Sequence, residues 1–244
     1  MKPSNHYKTI FVSDWHLGTK GCDHKSILDF LEHNTADTWY FVGDIIDGWR
    51  LKAGWYFPPE HLLIVQKILK IARKSKVIYL PGNHDEFAKK FIGNVFGGIE
   101  VFPYWIHETS KGDKILVLHG DEHDVIEQYA KWLAVLGAGA YEIIMFFNRI
   151  TNRVRYRCGL SRWSFSNWAK QKTKSSLDYM LKYGENLSKA AKSFGTTKVI
   201  YGHVHTPSVQ VVNDIEIYNI GDFVENTSYI TEDYSGTLKI LHWD

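Results

Sequence analysis

Three short apolar runs, each closing on a polar cluster, constrain this chain more than any other feature. Thr9–Val12 leads into Ser13-Asp14-Trp15-His16-Leu17-Gly18, Thr38–Val42 into Gly43-Asp44-Ile45-Ile46-Asp47-Gly48-Trp49, and Lys76–Leu80 into Pro81-Gly82-Asn83-His84-Asp85-Glu86. Stretches with helical spacing lie between them. Ser26–His33 puts Ile27, Phe30 and Leu31 on one side. Pro58-Pro59 and Glu60 open a second helix carrying Leu62, Leu63, Val65, Ile68, Leu69 and Ile71, with Lys70, Arg73 and Lys74 near its end. This strand–helix–strand–helix–strand order predicts a parallel sheet with right-handed crossovers. Functional groups of such sheets gather at the carboxyl ends of the strands, and all three clusters fall there.

Asp14 and His16 are two residues apart. In an extended chain such residues share a side, so the spacing predicts that both reach one point while Trp15 turns away into apolar packing. A carboxylate oxygen beside an imidazole nitrogen suits a divalent transition metal; a hydrogen-bonded loop pair is the bland alternative. Gly43 and Gly82 allow sharp turns that aim Asp44 and Asn83 back at a shared centre. The Asn83 carbonyl oxygen can ligate a cation without adding charge. Taken singly, Asp44 reads equally as a helix cap and Asn83 as a turn residue.

The second half is expected to be mostly antiparallel, apart from a helical stretch. Ile99–Phe102 reads as a short strand, and Ile106–Glu108 with Lys114–Leu118 flank a hairpin loop at Ser110–Asp113. The latter strand delivers His119-Gly120-Asp121. Lys198–Tyr201 delivers Gly202-His203-Val204-His205-Thr206-Pro207, where two histidines repeat the one-residue spacing. Val209–Val212 and Ile215–Tyr218 flank Asn213-Asp214, a hairpin signal. Gly221-Asp222-Phe223 follows, and Thr227–Thr231 with Thr237–His242 form the last pair. Two sheets packed face to face with helices outside are predicted.

Residues 123–194 differ: they read as helical, inserted between His119 and His203. Within them, Arg149–Lys174 holds eight basic residues and no acid, with Trp163, Phe165 and Trp168 interleaved. Either this insertion is a cap that meets an anionic, partly apolar substrate or an anionic membrane surface, or it is a solvated helical face whose aromatics pack on the main domain. Arg153, Arg155, Arg157, Arg162, Trp163 and Trp168 are the candidate substrate contacts. The net charge of +2 is too small to imply nucleic-acid binding by itself. Two cysteines, Cys22 and Cys158, give no disulfide framework and suit a reducing compartment. The start of the chain lacks the apolar core of a signal peptide. Trp132–Phe147, the longest apolar region, is interrupted by Gly137, Gly139 and Glu142 and falls short of the roughly 20 residues of a spanning helix. A cytoplasmic protein, free or peripheral on the inner face of the membrane, is expected.

Collected, Asp14-x-His16, Gly43-Asp44, Gly82-Asn83-His84-Asp85, His119-Gly120 and Gly202-His203-x-His205 resemble, in order and in full, the calcineurin-like metallophosphoesterase superfamily. The resemblance implies an α/β fold, a four-layer α/β/β/α sandwich, here formed by residues 1–122 and 195–244, with 123–194 as a helical cap over the site. It also implies two divalent metals. Asp14, His16 and His205 would hold the first, Asn83, His119 and His203 the second, and Asp44 would bridge them. Such ion pairs, roughly 3.5–4 Å apart, share a hydroxide and clamp a phosphoryl group in line. His84 is implied to face substrate, stabilising phosphoryl oxygens or protonating the leaving group, with Asp85 holding its imidazole; a metal ligand or turn histidine is the alternative. His6, His24, His33, His61, His107 and His242 read as structural or exposed, and His123 is left open.

Within the superfamily the chain is most similar to the UDP-2,3-diacylglucosamine diphosphatase group. The carrying features are the Ser13–Gly18 and Gly43–Trp49 forms, His119-Gly120-Asp121, and the helical insertion ahead of Gly202-His203. That implies hydrolysis of a pyrophosphate to a lipid monophosphate and UMP at the inner membrane surface, with manganese the expected metal and iron or zinc also suited to the mixed N/O donor set. The best-known members of the group carry Arg after Gly-Asn, where this chain has His84. Two other readings remain at this point: a dimetal phosphoesterase for another nucleotide, a cyclic nucleotide or a phosphoprotein, and a non-catalytic metal-bound module that binds membrane or nucleic acid. Sequence sets neither the acyl chains nor the oligomeric state.

Overall fold

The computed structural model describes residues 5–124 and 176–243, and the structural statements below concern these. Arg153, Arg155, Arg157, Arg162, Trp163 and Trp168, and most of the expected cap, lie outside the described residues. The chain divides into two compact units, Met1–Asp121 with Leu187–Asp244, and Glu122–Asn186.

Two sheets make up the first unit. The seven-stranded sheet has the order β12-β11-β1-β2-β3-β5-β4, built from β1 (Asn5–Val12), β2 (Asn34–Val42), β3 (Lys76–Leu80), β4 (Val95–Phe96), β5 (Ile99–Val101), β11 (Ser228–Glu232) and β12 (Leu238–His242). The five-stranded sheet runs β6-β7-β8-β10-β9, from β6 (Trp105–Glu108), β7 (Lys114–Leu118), β8 (Lys198–Tyr201), β9 (Ser208–Val212) and β10 (Ile215–Asn219). As expected, β1, β2 and β3 are parallel neighbours, with Val12 opposite Phe41 and Val42 opposite Leu80. Their carboxyl ends therefore stop at one edge.

Alternation of side chains sorts the core into two layers. Phe11, Tyr40, Val42, Ile78 and Leu80 from the first sheet meet Ile115, Val117 and Ile200 from the second. Phe11 stacks on Tyr40 with ring centroids 4.7 Å apart. The other face of the first sheet packs Ile10, Val12, Trp39, Phe41, Val77 and Tyr79 with Ile27, Phe30 and Leu31 of α1 (His24–His33) and Ile64 and Ile68 of α3 (Pro59–Ile71). Asp23 caps α1, its carboxylate accepting from the Ser26 N–H at 3.2 Å. In α4 (Ser176–Ser193), Tyr183, Leu187 and Ala191 form a buried stripe four residues apart.

A buried polar chain also crosses between the sheets. The His107 ring contacts the Tyr40 hydroxyl at 3.0 Å through Nδ1 and Glu232 at 2.8 Å through Nε2. Thr9 Oγ1 donates to the same Glu232 oxygen at 2.7 Å, and the Ser110 N–H to the other at 2.8 Å. Burial pushes the Glu232 carboxyl up, but these hydrogen bonds outweigh it and leave it below its usual range.

Several expectations need correcting. β2 begins at Asn34, not Thr38, because β1 also starts early and Asn5 pairs with Asn34; the polar Thr35–Asp37 stretch hid this. In α3, Leu62 and Leu63 are 51% and 48% exposed, while His61, Ile64 and Ile68 are buried. The inward stripe is set one residue off the apolar run, because His61 has a polar partner inside. The short helix α2 (Gly48–Ala53), capped by the Asp47 side chain, had no apolar period to announce it. The five-stranded sheet is mixed rather than chiefly antiparallel: β7, β8 and β10 are parallel neighbours at its centre. That arrangement carries His119 and His203 to the same edge.

Candidate metal centre

Asp14 and His16 do converge, though not through an extended chain. Both have left-handed backbone (φ 55° and 50°), as do Asp44 (54°) and His203 (67°). A non-glycine residue there is strained and persists only where its surroundings over-determine it. Here the turn is pinned to the loop after β2: Asp14 N–H donates to Gly43 O (3.1 Å), His16 N–H to Asp44 O (2.9 Å), and Leu17 N–H to Ile45 O (2.9 Å). Trp15 turns the other way, as its position predicts. It is fully buried, edge-on to Phe41 and Phe223.

Three overlapping groups of donor atoms result, each with its atoms within 4.8 Å of one another: Asp14, His16 and His205; His16, Asp44 and His84; and Asp44, His119 and His203. His205 Nε2 lies 3.2 Å from Asp14 Oδ1, and His16 Nε2 lies 3.8 Å from it. His119 Nε2 lies 3.3 Å from both Asp44 Oδ2 and Asn83 Oδ1. All seven side chains expected as ligands thus assemble at one sheet edge. Asp14, His16, Asp44 and Asn83 come from the first sheet, and His119, His203 and His205 from the second.

The donors are oriented as a metal requires. His119 Nδ1 sits 2.9 Å from the Val42 carbonyl, so it carries a proton there and Nε2 is the nitrogen turned to the centre. Asp14 Oδ1 and His16 Nε2 are buried with no hydrogen-bond partner. Such orphaned atoms facing one another fit a cation. Charge supports the same fit. Burial would raise Asp14, but the His205 imidazole close beside it and the charge of His119 leave it lowered. Asp44 is likewise lowered against its burial, chiefly by His119. His119 is raised despite burial, by Asp44. The carboxylates thus stay ionised, and the imidazole protons are those a cation would displace.

Two glycines make the close approach. A Cβ at Gly43, where φ is +74°, would lie 2.2 Å from His119 Nδ1. At Gly82 it would lie 2.3 Å from Asp44 Oδ1 and 2.6 Å from His119 Nε2.

Asp85 does not hold His84. Its carboxylate accepts from Ile45 N–H at 3.0 Å, from Gly82 N–H and from the Tyr79 hydroxyl, which fixes the turn below the site. Burial, then the charge of Asp44, pushes Asp85 up to about 6. The role expected of it falls to Asp47, whose Oδ2 meets His84 Nδ1 at 2.9 Å and His16 Nδ1 at 3.3 Å. Asp47 is held at about 2: burial raises it, but hydrogen bonds from His16, Arg50 N–H and His84 prevail. Trp49 lies tilted beside His84, ring centroids 4.4 Å apart. Asp222 was also missed. Its Oδ2 lies 3.7 Å from His205 Nδ1, while Oδ1 accepts three backbone N–H groups of Val224–Asn226. Both acids follow the pattern of Asp44, an acid just beyond a strand end near glycine, which was the signal available. His123 joins none of the three groups. Among the described residues, no helix is long and apolar enough to cross a membrane.

A family model described as calcineurin-like phosphoesterase matches residues 7–207. Two curated proteins named UDP-2,3-diacylglucosamine hydrolase are similar to this chain. One, from Shewanella oneidensis, is 23% identical over 262 residues, covering 97% of this chain and 99% of its own. The other, from Chromohalobacter salexigens, is 24% identical over 208 residues, covering 82% and 81%. Among solved structures, a hypothetical protein from Pyrococcus horikoshii matches with a TM-score of 0.51 at 9% identity, over 98% of this chain and 89% of that one, a likeness of fold alone.

Proposed function

The chain belongs to the calcineurin-like phosphoesterase family and is a metal-dependent phosphoester hydrolase, and from that premise we propose that it cleaves the pyrophosphate of UDP-2,3-diacylglucosamine to a lipid monophosphate and UMP. The observation that carries this reading is the reach of the Shewanella relative. The likeness spans 97% of this chain, so it takes in residues 123–194 as well as the metal motifs. We assign those residues as the cap, with Arg153, Arg155, Arg157, Arg162, Trp163 and Trp168 toward the amphiphilic substrate at a cytoplasmic membrane surface.

In this reading Asp14, His16 and His205 hold one divalent cation, Asn83, His119 and His203 a second, and Asp44 both. Manganese is the expected metal. Bound there, the cations lower the pKa of water and neutralise phosphate charge. The chain's own groups do the rest. His84, held at Nδ1 by Asp47, offers its other ring nitrogen to a phosphoryl oxygen or to the leaving group. Trp49, 41% exposed and beside His84 with ring centroids 4.4 Å apart, offers an apolar face suited to a lipid-linked substrate.

The test is turnover of the manganese-loaded protein on UDP-2,3-diacylglucosamine beside simple phosphodiesters, with products separated by thin-layer chromatography. Release of UMP and lipid monophosphate well above the rate on simple diesters is expected. Faster cleavage of the simple diesters would transfer the assignment to another phosphoester, which His84 in place of the group's Arg favours.

A further inference from the structure

We propose that His61 is a positioning residue of the metal centre, acting through the Leu17–Gly18 peptide rather than by touching metal or substrate. His61 lies in the first turn of α3, is 1% exposed, and accepts the Gly18 N–H at Nδ1 over 3.0 Å. The carbonyl of the same peptide, Leu17 O, accepts the Asp47 N–H at 2.8 Å. The peptide is therefore gripped on both sides. Asp47 in turn holds His16 and His84. A chain of contacts runs from α3 to a proposed ligand and to the proposed acid, and His61 is its outer end.

The need for such a grip follows from the backbone. Asp14 and His16 both sit at positive φ, and Gly18 at +102°. Two strained residues followed closely by a left-handed glycine require restraint on both flanks. The loop after β2 supplies one flank; His61 supplies the other. An acceptor is required there, because the Gly18 N–H would otherwise be buried unpaired. Burial first, then the neighbouring His24, keeps His61 below the usual imidazole range, although Glu60 opposes this. The ring is thus neutral, with Nδ1 free to accept.

The inference rests on Asp14 and His16 as ligands, and the test separates the two ideas. Manganese affinity is measured by chelator competition on wild type, His61→Asn and His61→Leu, with the melting temperature of each metal-free protein as a check on folding. Asn keeps an acceptor near the place of Nδ1; Leu fills the space without one. Loss of a direct partner of a ligand costs about 10–100-fold in affinity; His61 stands one contact further out, so the low end applies, and H61L is expected to bind manganese about tenfold more weakly and H61N within about threefold of wild type. A role in packing alone predicts the reverse order, and that result, or equal affinities for all three, overturns the proposal. Wild type that binds no manganese sinks the ligand assignment instead. Should H61L not fold, nitrogen NMR of wild-type His61 decides: an unprotonated Nδ1 supports the grip, and a protonated one refutes it.

Discussion

Replacing Gly82 with alanine tests the geometry of the centre with a single methyl group. The added carbon would stand 2.3 Å from Asp44 Oδ1 and 2.6 Å from His119 Nε2. Ordinary contact needs about 3.5 Å, so the carboxylate oxygen has to move by roughly 1 Å. Neither side chain can yield freely. Asp44 Oδ1 accepts the His84 N–H at 2.8 Å, and the His119 ring is tied to the Val42 carbonyl at 2.9 Å. Forcing a methyl into such packing costs about 1–3 kcal/mol of stability. A misplacement of that size at reacting groups costs on the order of 10²-fold in rate. Gly82→Ala is therefore expected to lower the melting temperature by several degrees, bind less manganese, and lose about 10²-fold in turnover of a chromogenic phosphodiester. Gly54→Ala is the control. Nothing lies within 4 Å of its Cβ position, and its φ of −178° is open to any residue. It should match wild type in all three measurements. Wild-type turnover with full manganese occupancy in Gly82→Ala would refute the close approach of Asp44 and His119 described here.

His84→Ala should retain its metals and lose about 10²-fold or more in turnover, as loss of a positioned acid does; elemental analysis beside kinetics checks both halves, and unchanged turnover removes His84 from the mechanism. Asp47→Asn keeps a cap for α2 but weakens the hold on two imidazoles, so manganese affinity should fall about 10-fold or more; calorimetric titration reads it, and undiminished affinity would show that His16 needs no partner. For Glu232 the folded pKa is depressed. Its stabilisation is present above the unfolded value, about 4.3, and drains away as pH falls through the folded one. Glu232→Gln should thus cost about 1–3 kcal/mol near neutrality, with the gap to wild type narrowing below about pH 4.3; denaturant titrations that give a constant gap from pH 7 to pH 3 would contradict the network.

The meeting of the polar clusters was legible because they repeat at strand ends. Five polar clusters, each just beyond an apolar run, had to meet if the runs were parallel neighbours, and β1, β2, β3, β7 and β8 are so arranged. How the clusters meet was not legible. Alternation belongs to extended chains, and the Asp14–His16 turn is left-handed at both residues, an outcome set by hydrogen bonds to a loop some thirty residues away. The exchange of Asp85 for Asp47 has a similar cause. Adjacent to His84 in sequence, Asp85 points into the turn toward Tyr79, while the distant Asp47 reaches the imidazole. Proximity along the chain is a poor guide where the backbone reverses at every step. His61 was hidden by composition, since Leu62 and Leu63 beside it look more like core than a histidine does.

The proposed ligands are divided between the sheets, four side chains on one and three on the other. Neither sheet alone presents a complete set for either cation. A chain that has mispaired or slipped its sheets would lack the affinity to load, whatever metal the cell supplies. On the proposed ligand assignment, metal binding favours molecules whose two sheets have docked in register and adds its binding energy to those alone. Newly made protein held without manganese should accordingly remain open to proteases at this edge, and close to them on loading.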